Sequence, residues 1–230
     1  MDVDAAKRAA GEAAAGLIGD GERVGLGTGT TAYWFIVALA ARVRDGLKVS
    51  GVATSDATER LAAGLGIPLA DLDAGGLDVA VDGADVVDPD LRLIKGGGGA
   101  MVREKIVAAA AQRFVVVIDD SKLRDVLGGP IPAEVLSFGV RHTLALLEAT
   151  GGHYRIRTDG SGGDIRSDNG NLLADGDYPR IDDPEGLAAQ LDAIPGVLGH
   201  GLFLGMADLV VVGFADGHVE QRTPAHAVGG

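Results

Sequence analysis

A turn between a predicted strand and a predicted helix, Gly25-Leu-Gly-Thr-Gly-Thr-Thr31, carries residue types that bind anions. Its glycines let backbone amides approach a ligand closely, and the N-terminus of the following helix adds partial positive charge. Thr28, Gly29, Thr30 and Thr31 supply hydroxyl and amide donors. The turn therefore predicts a phosphate-binding site, although a tight turn without any ligand would use the same residues.

The same turn fits a loose dinucleotide-binding pattern, Gly27-x-Gly29-x-x-Ala32. That pattern calls for an acidic residue about 20 positions later, which binds a ribose hydroxyl. Position 52 is valine and Asp56 comes too late in the chain. A nicotinamide-dependent dehydrogenase is therefore the weaker alternative.

Two aspartates follow the next apolar strand, in Asp82-Gly83-Ala84-Asp85. Carboxylates at the carboxyl edge of a parallel sheet lie where such folds bind their ligands. They could accept hydrogen bonds from sugar hydroxyls or hold a metal ion, and the alternative is a turn whose aspartates cap themselves. Because no histidine is near in sequence, a metal site is less favoured and none is predicted.

Lys95 is followed by four glycines, Gly96 to Gly99. Ordering so many glycines costs much conformational entropy, which favours an anion-binding loop beside an ammonium group over a plain surface loop. Glu104 stands in the charged triplet Arg103-Glu104-Lys105 on the next predicted helix. Such a triplet is usually a solvated helix face, but Glu104 is close enough to point back toward the glycines.

A fourth turn, Asp119-Asp-Ser-Lys122, follows another buried strand. Lys122 suits a phosphate or an anionic intermediate, and the alternative is a helix cap with a solvated lysine. Lys7 has the same two interpretations, with solvation favoured. The four turns together combine acids, lysines and threonines, a set that suits a small sugar phosphate.

These turns are positioned by strands that alternate with helices, which predicts an α/β fold with a Rossmann-like, mainly parallel sheet. After Leu127 the pattern changes: Gly128-Gly-Pro-Ile-Pro132 is typical of a linker, and a small α+β unit follows. The strand at 207–213 is expected to rejoin the first sheet. We therefore predict a catalytic domain of residues 1–127 and 204–230, and a smaller, ferredoxin-like domain of residues 128–203.

Composition excludes several classes of protein. The chain has 230 residues, no cysteine and a net charge of −13, so disulfides, thiolate metal sites and broad nucleic-acid binding are not expected. No apolar run is long enough to span a bilayer, and the first residues lack the apolar stretch of a secretion signal. We expect a cytoplasmic protein that binds neither nucleic acid nor membrane.

The sequence resembles the A type of ribose-5-phosphate isomerase over nearly its whole length. The residues that carry the resemblance are Gly27-Thr-Gly-Thr-Thr-Ala32, Asp82-Gly-Ala-Asp85, Lys95-Gly-Gly-Gly, Arg103-Glu-Lys105, Asp120-Ser-Lys122, Asp168-Asn-Gly-Asn171, Ala193-Ile-Pro-Gly196 and Gly201-Leu-Phe203. It departs from the family pattern at Thr30, Gly99, Val102 and Asp120, and none of these departures removes a functional group of the candidate site.

The resemblance implies an enzyme without a cofactor that interconverts ribose 5-phosphate and ribulose 5-phosphate in the non-oxidative pentose phosphate pathway. It implies that Glu104 is the general base, with Asp82, Asp85 and Lys95 around the reacting carbons. The residues it implies for substrate binding are Thr28, Gly29, Thr30, Thr31, Gly83, Ala84, Gly96, Gly97, Gly98, Lys122 and Lys7. It also implies a homodimer or homotetramer.

A ligand-sensing domain of a sugar-phosphate-responsive repressor could share this fold. Such a protein should carry a DNA-binding helix-turn-helix, which the short segment ahead of the first predicted strand does not accommodate. The negative charge also opposes DNA binding. An isomerase is the interpretation that gives every one of the four turns a role.

Overall fold

The computed structural model describes residues 3–224. In chain order its elements are α1 (Val3–Gly16), β1 (Arg23–Leu26), α2 (Thr30–Arg44), β2 (Ser50–Ala53), α3 (Asp56–Gly64), β3 (Val79–Gly83), β4 (Val86–Val87), β5 (Leu93–Ile94), α4 (Met101–Ala110), β6 (Phe114–Asp119), β7 (Gly129–Val135), α5 (Val140–Glu148), β8 (His153–Ile156), β9 (Leu172–Tyr178), α6 (Pro184–Asp192), β10 (Val197–His200), β11 (Leu202–Phe203), β12 (Leu209–Gly213) and β13 (Val219–Arg222). The chain divides into two compact units: residues 3–84, 103–123 and 205–224 form the first, and residues 85–102 and 124–204 form the second.

The first unit is built on a six-stranded sheet in the order β13-β12-β6-β3-β1-β2. Only the edge pair β12–β13 is antiparallel; the other neighbours run parallel. All six residues of β6 are buried, as expected of a central parallel strand covered on both faces. The predictions of a mainly parallel α/β sheet and of a late strand that rejoins it are confirmed.

Helix α1 lies close to the carboxyl end of β12 because that strand ends in a glycine. A Cβ atom added to Gly213 would lie 2.0 Å from the backbone oxygen of Ala6, so no side chain fits there. Gly213 is also the register partner of Asp119, the last residue of β6. The close contact between Gly213 and Ala6 places the N-terminal half of α1 beside the carboxyl edge of the sheet.

The second unit contains a four-stranded antiparallel sheet in the order β10-β7-β9-β8, with α5 and α6 in the connections. The chain order βαββαβ with these neighbours is the ferredoxin-like arrangement. Its core is aliphatic and aromatic, and includes Ile131, Leu147, Tyr154 and Leu191. The predicted ferredoxin-like α+β fold is confirmed.

The prediction that residues 128–132 form a linker is wrong, because Gly129–Val135 form strand β7. Pro132 accepts a hydrogen bond from Gly201 N through its carbonyl oxygen at 2.7 Å. The N–H and C=O of one residue in an antiparallel strand point to the same side, so the missing N–H of Pro132 points away from β9. Pro130 has the same orientation, and the pairing with β9 is kept.

Residues 85–102 lie in the second unit, whereas the sequence placed them in the larger domain. The reason is strand pairing: β4, β5 and β11 form a separate three-stranded antiparallel sheet. Residues 197–203 are accordingly divided between two sheets, as β10 and β11. Among residues 3–224, no helix is long and apolar enough to cross a bilayer.

Candidate active site

The turn after β1 lies directly against Asp82, the penultimate residue of β3. Asp82 is only 3% exposed. Its Oδ1 accepts hydrogen bonds from the backbone N–H groups of Thr28, at 2.9 Å, and Gly83, at 2.7 Å. A Cβ atom at position 27 would lie 2.3 Å from that same Oδ1, which explains why this turn needs Gly27. The two amides fix the direction of the carboxyl group.

Glu104 lies in the first turn of α4 and is 4% exposed, so it is not part of a solvated helix face. Glu104 and Asp82 line one small buried pocket, together with Gly25, Gly27 and Thr54. The structure thus brings together two carboxylates that are 22 positions apart in sequence. Close packing makes this possible, because a Cβ atom at Gly25 would lie 2.5 Å from Val107 of the same helix.

Arg103 anchors the start of α4 to helix α3. Its Nη1 donates to Asp56 Oδ1 at 2.7 Å. Asp56 is the first residue of α3 but does not cap it, because the N-cap is Ser55, whose side chain accepts from Thr58 N. Asp56 is therefore available as the ion-pair partner that orients the helix carrying Glu104.

A cluster of hydroxyl groups packs against Thr28 on the buried side of the turn after β1, which we call the Thr28 turn (residues 27–29). The sequence analysis did not predict this cluster. Thr28 Oγ1 donates to Ser55 Oγ at 2.8 Å, and lies 2.8 Å from Thr54 Oγ1 and 3.1 Å from Thr58 Oγ1. Thr54 and Thr58 also donate to the carbonyl oxygens of residues 26 and 27, each at 3.0 Å. The only signal was the polar run after β2, which also suits an ordinary helix start. The cluster braces the turn from its buried side.

The start of α2 presents the other predicted donors of this turn. Gly29 is its N-cap, with φ +115 and no side-chain capping bond. Thr30 is exposed, whereas Thr31 is 7% exposed. Backbone amides in the first turn of a helix lack partners within that helix, which makes this end suitable for an anion.

The predicted lysines of the first unit follow β6 and lie on α1. Lys122 closes the single 3-10 turn Asp120–Lys122, whose N-cap Asp119 accepts hydrogen bonds from the N–H and hydroxyl of Ser121. Lys7 lies next to Ala6, in the part of α1 that packs against the end of β12. Lys7 and Lys122 are both half-buried.

The second unit holds Asp85, Lys95 and the glycines, which we call the glycine loop (residues 96–99). Asp85 Oδ2 accepts from Gly97 N at 2.8 Å. Lys95 is 2% exposed, and its Nζ lies 5.5 Å from the centre of the Phe203 ring. Gly83 ends β3 and Ala84 links it to Asp85, so neighbouring residues of one motif fall in different units.

The first unit therefore combines two buried carboxylates with a donor-rich turn, and the second combines a buried ammonium group with a glycine loop. The carboxylates can transfer protons, and the amides and lysines can bind negative charge. Within residues 3–224, no three His, Asp or Glu side chains are grouped to hold a metal ion. An α/β protein with these groups belongs to the class of enzymes that move protons on small anionic substrates.

Comparison with known proteins identifies the family. The model of the family "Ribose 5-phosphate isomerase A (phosphoriboisomerase A)" matches residues 50–217. A ribose-5-phosphate isomerase A of Roseiflexus sp. (strain RS-1) is 50% identical over 230 residues, covering 98% of this chain and 99% of the relative. The chain belongs to the ribose 5-phosphate isomerase A family, as its sequence motifs predicted.

Solved structures agree with this assignment. The ribose 5-phosphate isomerase A of Methanocaldococcus jannaschii superposes with a TM-score of 0.90 at 40% identity, over 94% of this chain and 97% of that one. A D-ribose-5-phosphate isomerase solved in complex with phospho-erythronic acid gives a TM-score of 0.92 at 38% identity, over 97% and 100%. The prediction of an isomerase is confirmed.

Proposed function

We propose that this protein interconverts D-ribose 5-phosphate and D-ribulose 5-phosphate through a cis-enediolate, with Glu104 as the general base. The observation that carries the proposal is the burial of Glu104 in one pocket with Asp82, in a member of this family. A buried carboxylate beside a second one can act on a carbon-bound proton without competition from bulk water.

The reaction begins with opening of the sugar ring, for which Asp82 moves the required proton. Two backbone amides hold Asp82 Oδ1, so the carboxyl group keeps one orientation during this transfer. Glu104 then removes the proton from C2 of the aldose. The electron pair forms the C1–C2 double bond, and the former carbonyl oxygen O1 takes the negative charge.

The second half of the reaction converts the enediolate into the ketose. The proton of the O2 hydroxyl is transferred to O1, the C2 carbonyl forms, and Glu104 returns its proton to C1. Lys95 stabilises the negative charge of the intermediate, because an ammonium group that is 2% exposed acts with little screening. Asp85 orders the glycine loop beside Lys95 through Gly97 N.

The phosphate group is assigned to the turn that contains Thr28, Gly29, Thr30 and Thr31. The N-terminus of α2 provides amides, and Lys122 and Lys7 provide positive charge. Gly83, Ala84 and Gly96 to Gly98 offer further backbone donors to the substrate. A relative that binds phospho-erythronic acid, a phosphorylated sugar acid, supports a site for an anionic sugar derivative.

Three further features stay predictions. No cofactor is required by the steps above, since the side chains of the chain supply each proton transfer. A homodimer or homotetramer and a cytoplasmic location are expected from the family resemblance and the composition.

The test is isomerisation of ribose 5-phosphate followed by NMR, with and without a chelator, and with unphosphorylated ribose as the control substrate. We expect ribulose 5-phosphate to form at the same rate in chelator, and ribose to react far more slowly because it lacks the phosphate. No conversion of ribose 5-phosphate, or activity that returns only when a divalent ion is added, would contradict the proposal.

A further inference from the structure

One arginine holds the carbonyl groups of the glycine loop. Arg157, just after β8, donates through Nη1 to Gly97 O at 3.0 Å and through Nη2 to Gly96 O at 3.3 Å. The same guanidinium group donates through Nε to Asp175 Oδ2 at 2.8 Å and through Nη2 to Asp175 Oδ1. The side chain of Arg157 is 17% exposed, so most of the guanidinium group is shielded from water although Gly97 itself is exposed. The proposed reaction leaves Arg157 and Asp175 without a role.

These contacts fix two successive peptide groups. The Gly96–Gly97 peptide is held at both ends, because its C=O accepts from Arg157 and its N–H donates to Asp85 at 2.8 Å. The described chain contains no cis peptide bond, so the C=O and N–H of each peptide point in opposite directions. With Gly97 O on Arg157, the N–H of Gly98 is directed away from the guanidinium group. Gly98 itself is exposed.

A loop of four glycines has many conformations of similar energy, so its amides need an external constraint to keep one direction. The fork-shaped guanidinium group provides it, since charge-assisted bonds to a carboxylate are strong and directional. The adjacent β9 also restricts the loop, because a Cβ atom at Gly99 would lie 2.8 Å from Leu173. The loop directly follows Lys95, the residue assigned to the enediolate charge.

We propose that Arg157, held by Asp175, is a positioning residue that orients the Gly97–Gly98 peptide so that the Gly98 N–H donates to the enediolate. The inference rests on the proposed function, because it adds a donor to the same intermediate. Arg157 acts through the loop and does not itself contact the substrate.

The test compares Arg157→Gln with Arg155→Gln, a matched removal of positive charge from an exposed arginine two residues earlier on β8. A donor displaced by about 1 Å can lower the rate by roughly 10²-fold. We therefore expect the kcat of Arg157→Gln to fall by roughly 10- to 100-fold with a smaller change in KM, and Arg155→Gln to keep wild-type values. Arg157→Lys should recover only part of the lost kcat, because an ammonium group cannot make the same set of hydrogen bonds as the planar guanidinium group.

Hydrogen exchange of the glycine loop gives a readout that does not depend on turnover. The loop amides should exchange faster in Arg157→Gln than in Arg155→Gln, while thermal unfolding stays close to wild type. Should Arg157→Gln fold poorly, Asp175→Asn removes the carboxylate charge in a milder way and should lower kcat and loosen the loop in the same direction. Wild-type kcat or unchanged loop exchange in the folded variants overturns the inference.

The two proposals fail differently. If the wild-type protein does not isomerise ribose 5-phosphate, the proposed function is wrong, and the role assigned to Arg157 in that reaction falls with it. If the wild type is active and Arg157→Gln equals Arg155→Gln in kcat, only the role of Arg157 is wrong.

Discussion

Replacing Gly27 by alanine should damage both stability and catalysis through one contact. The added Cβ atom would lie 2.3 Å from Oδ1, 2.4 Å from Cγ and 2.5 Å from Cα of Asp82. The last of these is a backbone atom of the buried strand β3, so it cannot rotate away. The Thr28 turn and Asp82 must therefore move apart, and the 2.9 Å hydrogen bond from Thr28 N to Asp82 is strained or lost.

The size of the effect follows from the cost of overpacking. Forcing an extra methyl group into a well-packed interior costs about 1–3 kcal/mol. For a chain of this size each kcal/mol lowers the Tm by about 2–4 °C, so we expect a decrease of about 2–12 °C. A shift of about 1 Å in a catalytic group can reduce the rate by about 10²-fold, and kcat should fall on that scale.

The assay measures thermal unfolding and kcat for Gly27→Ala beside Gly64→Ala. Gly64 ends α3, and a Cβ atom added there meets no atom within 4 Å. The control should keep wild-type activity and gain about 0.4–1 kcal/mol in stability, because alanine reduces the entropy of the unfolded chain. A Gly27→Ala protein with wild-type Tm and kcat would refute the argument from close packing.

Three other variants test separate parts of the account. Lys95→Met should lower kcat by roughly 10²-fold or more with a smaller change in KM, because the variant loses a donor to a developing oxyanion. A raised KM at unchanged kcat would instead make Lys95 a simple binding contact. Lys122→Ala and Thr31→Ala should mainly raise KM and weaken inhibition by inorganic phosphate, and wild-type values for both would show that the anion site lies elsewhere. A hydrogen bond to Asp216 raises the pKa of exposed His218, so the stability it adds is present at pH 6 and lost as the pH rises through that raised value. Unfolding of wild type and His218→Gln should differ more at pH 6 than at pH 9, because the loss of ring stacking on Phe214 acts at both pH values and the loss of the charge acts only at pH 6. An equal difference at both pH values would exclude the charge effect.

Strand patterns predicted most of the fold because buried parallel strands are continuous apolar runs. Phe114–Asp119 and Leu209–Gly213 could be assigned in this way, and they pair as neighbours. Strand β7 could not, because its prolines are typical of a linker. Only the hydrogen bond from Gly201 N to Pro132 O shows that the side without N–H groups faces away from β9. The short strands of residues 85–102 could not be placed either, since two-residue strands carry too few side chains to show a period.

The candidate site was predictable to the extent that its residues stand at strand ends. Asp82 could be assigned from its position after an apolar strand. Glu104 could be assigned only through the family resemblance and its nearness to the glycines, because its charged neighbours are typical of a solvated helix face and the fold is needed to show that it is buried. The contacts of Thr28 with Thr54 and of Arg157 with the glycine loop join residues 26 or more positions apart, a relation that local patterns do not contain.

Transfer of the C2 proton of ribose 5-phosphate tests the central assignment, Glu104 as general base, most directly. The measurement is the rate of turnover and of deuterium incorporation at C1 of ribulose 5-phosphate in D₂O. It compares the wild type with Glu104→Gln and with Glu59→Gln, which changes an exposed glutamate in the first turn of α3.

The wild type and Glu59→Gln should incorporate deuterium at C1, because a proton held on a carboxyl group exchanges with solvent. Glu104→Gln should stay folded and lose turnover and exchange together by at least about 10²-fold, the smaller end of the range for a positioned general base. A folded Glu104→Gln protein that exchanges and turns over at the wild-type rate would contradict the account and place the base elsewhere, at Asp82 or Asp85.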